Sequence, residues 1–335
     1  MATPKQAAGQ AILEVADLTK HFAIERGALG ALRGAPARAV RAVDGVSFAL
    51  GRGEVLALVG ESGCGKTTTA MSVIGLIEPS GGAIHFEGQP LHEQLRRDRS
   101  LRQHIQMVFQ DPYESLNPRM TVGEIVAEPL RIHRLHTTKD ELERAVLAAL
   151  DEVGLRPAAE FVGRRPHELS GGQRQRVVIA GALVTSPRLL VADEPVSMLD
   201  VSIRAEILLL LNELRQRRGI SILFITHDLA TAALFADRIA VMYLGRIVEI
   251  GPAAAVLEQP LHPYTKALIS VVPSLDPRRR REHLILQGET PNPASIPTGC
   301  RFHPRCPLAI DACSEIDPQL ERRQGHQVAC ILVYS

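Results

Sequence analysis

The chain has 335 residues, a formal net charge of +1, 45% hydrophobic residues and 22% charged residues. That is enough for one large core with an appendage, and the near-neutral charge gives no support to a general nucleic-acid binder. No apolar run reaches the roughly 18 residues a membrane helix requires. The richest, Ile207 to Leu211, is broken by Asn212 and Glu213, and Met1 to Gln10 lacks an apolar signal core, so a cytoplasmic location is expected.

Residues 12–50 read as short strands around an insertion, Gly27 to Arg38, whose Gly, Ala and Arg content suits a surface loop. Val55 to Val59 reads as a strand and Thr68 to Ile77 as a helix. Between them runs Gly60-Glu61-Ser62-Gly63-Cys64-Gly65-Lys66-Thr67. In such a strand–loop–helix setting, glycines let backbone N–H groups close around phosphate oxygens. Lys66 can then reach the β- and γ-phosphates of a nucleotide, and the Thr67 hydroxyl can ligate Mg²⁺. Cys64 sits where the helix dipole and Lys66 would lower a thiol pKa; alternatively it is a small side chain that fits.

Ile105 to Phe109 reads as a further strand, ending in Gln110. Residues 110–185 are mostly helical in pattern. Thr121 to His133 and Asp140 to Val153 have amphipathic spacing, Pro129 interrupts the first, and Asp140 and Glu141 favour the start of the second. Leu169-Ser170-Gly171-Gly172-Gln173 enters a helical pattern, Arg174 to Thr185, and offers a second anion site of bare N–H groups at a positive dipole end. One chain does not need two anion sites for one nucleotide. Two chains enclosing a nucleotide between them would. Arg188 to Pro195 is an apolar strand that delivers Asp193 and Glu194 to the sheet edge where open α/β folds bind ligands. Asp193 suits the outer coordination of Mg²⁺, and Glu194 suits polarising an attacking water as a general base. Ile222 to Thr226 ends in His227, which, like Gln110, would face the nucleotide from a strand tip. Strand–helix alternation through residue 255 marks a parallel sheet, and there is no internal repeat.

Four of the five cysteines, Cys300, Cys306, Cys313 and Cys330, crowd the tail with spacing C-x5-C-x6-C-x16-C. Three readings compete: free thiols, a Zn²⁺ site recruiting His303 or His326, and an iron–sulfur cluster. The Arg278 to Arg281 run reads as a solvated linker, with attraction to anionic lipid headgroups as the alternative.

These motifs, in this order, resemble the ATP-binding subunit of an ABC transporter over residues 12–255: Walker A, Q-loop, signature, Walker B, D-loop and switch histidine. The resemblance implies an α/β P-loop NTPase (RecA-like) core with a helical subdomain at about 110–185 and a small cysteine-rich extension over 256–335. It implies that ATP and Mg²⁺ are held by Gly60, Ser62, Gly63, Cys64, Gly65, Lys66, Thr67 and Thr68, with Gln110 and Asp193 at the metal. Glu194 and His227 would act on the γ-phosphate and its water. Ser170, Gly171, Gly172 and Gln173 would serve the nucleotide of a partner ATPase. Ser197 to Asp200 matches the D-loop, with Met198 where the family more often has a small residue, and Phe22 falls where the family stacks an aromatic on adenine.

Phe109 to Arg119 and Pro260 to Leu268 resemble the same segments in oligopeptide and dipeptide importer ATPases. In the second, Pro263 would fix a turn and Thr265 cap a helix from Lys266 to Val272. Some of these ATPases carry a [4Fe–4S] cluster in the extension, which points Cys300, Cys306, Cys313 and Cys330 toward iron–sulfur, with Zn²⁺ as the alternative. The resemblance further implies a second, related ATPase subunit, two transmembrane permease subunits, an extracytoplasmic solute-binding protein acting indirectly, no nucleic acid, and a peripheral place on the cytoplasmic face of the membrane. Asp111 to Met120 would touch the permeases. Import of nickel chelates or sugars, or a soluble ABC-type ATPase acting on nucleic acid or ribosomes, are the alternative functions.

Overall fold

The computed structural model describes residues 11–24, 39–136, 138–271, 284, 286 and 288–333. The Gly27 to Arg38 insertion and the Arg278 to Arg281 run lie outside the described residues. The strands among them are β1 (Ala11–Ala23), β2 (Ala39–Gly51), β3 (Val55–Val59), β4 (Gly81–Phe86), β5 (Gln89–Pro90), β6 (Ile105–Val108), β7 (Leu189–Asp193), β8 (Ser221–Thr226), β9 (Arg238–Tyr243), β10 (Arg246–Pro252), β11 (Glu321–Arg323) and β12 (His326–Val328). The described chain folds into two compact units, one containing Leu50–Val55 and Phe86–Ile225, the other Leu13–Ala49, Leu56–His85 and the residues from Thr226 onward.

In the first unit β6, β7 and β8 run parallel, with Ile105 opposite Leu189 and Asp193 opposite Ile225. Every residue of β7 and β8 is buried, as expected where helices cover both faces of a parallel sheet. The helices start where side chains satisfy their free N–H groups. Thr121 with Glu124 and Thr138 with Glu141 form reciprocal capping boxes for Val122–Ile132 and Lys139–Glu152. Pro129 does not interrupt the first of these: the helix runs through it, its buried Val122, Val126, Ala127 and Leu130 offsetting one lost backbone hydrogen bond. The helix expected over Thr68 to Ile77 spans Lys66–Val73 in the second unit, its last N–H groups turning in at Ile74.

In the second unit β3 pairs parallel with β9, so Val59 lies opposite Val241, and β9 returns antiparallel as β10. β2, β1 and β4 lie side by side in that order. The cysteine-bearing tail is woven into this unit, because β12 pairs with β10 (Glu249 opposite Val328) and β11 with β12. Buried Tyr243, Tyr264 and Phe302 pack ring against ring at 4.8–5.4 Å, joining β9, the helix Pro263–Ser270 and the tail. That helix corrects the expected Thr265 cap. His262 is the cap, its Nδ1 accepting the Tyr264 N–H at 3.1 Å, while Thr265 lies buried inside the helix. Burial, with Lys266 nearby, pushes the His262 pKa down to about 3, so its Nδ1 is a free acceptor at neutral pH. Beneath the cap, the buried Glu249 side chain accepts the Leu261 and His262 N–H groups at 2.8 and 2.9 Å and meets His326 Nε2 at 2.7 Å.

Candidate nucleotide-binding site

The phosphate loop belongs to the second unit and leads from β3 into the helix Lys66–Val73. Two of its glycines have no substitute. Gly65, the residue before the helix, has φ +107°, and a Cβ there would stand 2.1 Å from the Ala42 carbonyl oxygen. A Cβ on Gly60 would stand 2.2 Å from the Met242 carbonyl oxygen. Ser62, Gly63 and Thr67 are exposed and Thr68 is half-buried, so the helix entry is open to a ligand. Lys66 is buried, and its Nζ donates to the carbonyls of Gly60 at 2.7 Å and Glu61 at 2.9 Å. Engaging a phosphate would exchange neutral acceptors for a charged one, and charge-assisted hydrogen bonds are the stronger kind.

Cys64 is corrected as a reactive thiol. It is 1% exposed, and burial pushes its pKa up against the pull of Lys66, whose Nζ lies 3.8 Å from Sγ. The small side chain that fits is the reading that stands. His227 follows β8 directly and is exposed, while Asp228 beside it caps the next helix through the Ala230 N–H at 2.9 Å. Phe22 is 41% exposed near the end of β1, with Lys20 Nζ 5.1 Å from its ring centre, so the ring is not a core residue.

The first unit brings Gln110 and Glu194 together across 84 positions: Gln110 Nε2 donates to Glu194 Oε2 at 3.2 Å. Asp193 is buried at the end of β7. Glu194 then adopts φ +46°, a conformation that costs a non-glycine residue about 1 kcal/mol or more. It is held there by its N–H on the Ile225 carbonyl at 2.9 Å and by Ser197, whose N–H and hydroxyl donate to its own carbonyl at 3.2 and 3.0 Å. Ser170 and Gln173 cap the helix Gly171–Leu183 reciprocally, the Ser170 hydroxyl accepting the Gln173 N–H at 3.3 Å and Gln173 Oε1 accepting the Ser170 N–H at 3.0 Å. Ser170 stays exposed and Gly171 and Gly172 half-buried. Asp200 precedes the helix Val201–Arg218, and Met198 is 56% exposed.

Among the described residues no three His, Cys, Asp or Glu side chains are arranged to hold a metal ion, so the metal-binding expectation for Cys300, Cys306, Cys313 and Cys330 finds no single-ion site. Neither histidine of the zinc alternative belongs to a metal-holding group among the described residues. His326 is buried against Glu249 at 2.7 Å, and His303 Nδ1 lies 2.8 Å from the Cys300 carbonyl oxygen. The thiols are free, and burial raises Cys300 to about 11, with the charges of Cys330 and Cys313 adding to the rise. Cys313 and Cys330 act on Cys306 in the same way, so the four share one neighbourhood.

Sequence reasoning also missed Arg305 and Thr290, which lie against the phosphate-loop residue Glu61. No local motif marks either residue.

The ABC transporter family profile matches residues 43–197, and the profile of the oligopeptide/dipeptide transporter C-terminal region matches residues 248–313. A peptide import ATP-binding protein of Brucella ovis is 49% identical over 322 residues, covering 96% of this chain and 97% of the relative. The oligopeptide transport ATP-binding protein OppF of Salmonella typhimurium is 46% identical over 325 residues, covering 96% of each. Among solved structures, the ATP-binding cassette MJ0796, described as a dimer in a post-hydrolysis state bound to ADP and Pi, matches with TM-score 0.61 and 27% identity, covering 72% of this chain and 98% of that one. The chain belongs to the ABC transporter ATPase family, in the group that carries the oligopeptide/dipeptide transporter C-terminal region.

Proposed function

We propose that this ABC ATPase energises the import of di- or oligopeptides. The observation that carries the catalytic part is the pairing of Gln110 with Glu194 on a strained, multiply held backbone at the end of a buried strand. The cargo class is supported by the C-terminal region and by the names of relatives that align with almost the whole chain. Residues 12–255 act as the nucleotide-binding domain and 256–335 as its extension.

In this reading ATP lies on the phosphate loop, its phosphates received by N–H groups from Gly60 to Thr68 and by Lys66, its adenine against Phe22. Thr67, Gln110 and Asp193 offer a hydroxyl, an amide and a carboxylate, oxygen donors suited to Mg²⁺, which when bound neutralises phosphate charge. Glu194 orients and deprotonates water, and His227 holds the γ-phosphate. Ser170, Gly171, Gly172, Gln173 and Asp200 face the nucleotide of a second ATPase subunit, a related chain. Its closure and opening move two permease subunits through contacts around Asp111 to Met120, on the cytoplasmic face of the membrane, while an external binding protein delivers the solute.

The tail cysteines are read as ligands of a [4Fe–4S] cluster with a structural or regulatory role. A single ion needs every thiolate within about 2.3 Å of one point, whereas a cluster spreads its four ligands apart. Anaerobic purification followed by visible absorption and iron and sulfide analysis tests this, and a colourless, iron-free protein would refute it. For the main reading, the chain is expressed with the permease and binding-protein genes beside it, and ATP-driven uptake is measured in vesicles. Peptide uptake abolished by Glu194→Gln is expected. Uptake of sugars or nickel chelates instead, or ATPase stimulation by nucleic acid without permeases, would overturn it.

A further inference from the structure

Glu61 is a carboxylate inside the loop read here as the seat of a polyanion, and nearly all that holds it comes from the C-terminal part of the chain. Its N–H donates to the Tyr264 hydroxyl at 3.0 Å. Its Oε2 accepts from Arg305 Nη1 at 2.8 Å and from the Thr290 hydroxyl, and its Oε1 accepts from Arg305 Nη2 at 3.2 Å. Arg305 Nη1 also reaches Thr290 Oγ1 at 3.2 Å. The Arg305 side chain is 8% exposed and that of Glu61 26%, so this two-pronged pair is largely removed from water. Burial works to raise the Glu61 pKa, yet Arg305 and Thr290 outweigh it and keep the carboxyl below its ordinary value. The carbonyl of the same residue accepts Lys66 Nζ at 2.9 Å. Tyr264 in turn is fixed by its rings of contact with Tyr243 and Phe302. One residue therefore ties the tail to the backbone that the loop lysine uses.

We propose that Arg305, assisted by Tyr264 and Thr290, is a positioning residue of the ATP site: the tail cancels the Glu61 charge and sets the phosphate-loop backbone to receive a triphosphate. This rests on the assignment of ATP to the loop. An uncompensated carboxylate there would repel the incoming phosphates, and the arginine fork supplies both the opposite charge and a fixed geometry that lysine lacks.

The test uses the full-length chain, with equilibrium binding of a fluorescent ATP analogue and steady-state ATP hydrolysis. Arg305→Ala raises Kd and KM for ATP by roughly tenfold or more, with kcat at saturating ATP within about twofold of the parent. Arg305→Lys falls between. In the double variant Arg305→Ala with Glu61→Gln, most of the lost affinity returns, because the carboxylate that Arg305 cancels is gone. A purely scaffolding contact gives no such recovery, and a double variant as weak as Arg305→Ala overturns the proposal. Should Arg305→Ala fail to fold, Tyr264→Phe and Thr290→Val each remove one hydrogen bond at Glu61 with little change of shape, and unchanged ATP affinity in both overturns it. Lys66→Ala separates the two levels. If it binds ATP like the parent, the site reading itself falls; if it loses ATP while Arg305→Ala keeps full affinity, only the positioning role falls.

Discussion

Removing the Glu249 side chain should both loosen the tail and weaken ATP binding from a distance. Glu249 is 0% exposed and satisfies two backbone N–H groups and His326 at 2.7–2.9 Å. In Glu249→Ala those groups lose their shared acceptor. Each unsatisfied buried donor costs about 1–3 kcal/mol, and the two backbone N–H groups are both at stake. Water entering the vacated space recovers part, so about 3 kcal/mol is expected. Glu249→Gln keeps the shape but turns one acceptor into a donor facing donors, at about 1–2 kcal/mol. With a urea slope of about 2–3 kcal/mol/M, the alanine variant should unfold about 1 M earlier. Two readouts localise the loss. The tail, joined to β10 through β12, should be cut sooner by limited proteolysis, and ATP KM should rise, because the helix Pro263–Ser270 carries the Tyr264 that holds Glu61. An alanine variant whose urea midpoint lies within about 0.2 M of the parent would refute the reasoning.

Three further outcomes follow from the same geometry. Gly65→Ala forces a Cβ against the Ala42 carbonyl at 2.1 Å in a left-handed backbone, so the loop must move; binding of a fluorescent ATP analogue should weaken by at least about a hundredfold, and a loss under about threefold would contradict this. Glu194→Gln should bind ATP normally yet lower turnover by about 10²–10⁴-fold and hold a closed ATPase pair seen by size-exclusion chromatography; unimpaired hydrolysis removes the general-base role. His262 has a folded pKa of about 3 against an ordinary value of 6.5, so its contribution is complete above pH 6.5 and is lost as pH falls from there toward 3. Stability should therefore drop by up to about 1.4 kcal/mol per pH unit over that window, and His262→Asn, which keeps a capping acceptor without titrating, should flatten the slope of denaturation midpoint against pH.

The elements legible from sequence were those whose causes are local. The strands leading to Gln110, Glu194 and His227 are mostly apolar runs, and the structure has β6, β7 and β8 there. The Ser170 helix entry and the caps at Thr121 and Thr138 are side chains reaching three residues onward. Where reading went astray, tertiary packing had overridden a local rule. Pro129 stays helical because its helix buries an apolar face, and the Cys64 thiol is raised because the loop closes over it. His262 caps where Thr265 was expected, since Pro263 starts the helix earlier.

The glycine-rich loop, the two carboxylates after β7's apolar run and the family could all be read from the chain alone, because each motif is a short contiguous segment and the family follows from their order. The contacts that give them direction could not. Gln110 meets Glu194 across 84 positions, and Arg305 meets Glu61 across 244. Such pairs leave no trace in spacing or periodicity; they exist because sheet order and the tail's pairing with β10 bring remote backbone segments together. The chemistry was written locally, and only the folded chain decided what holds the phosphate loop in place.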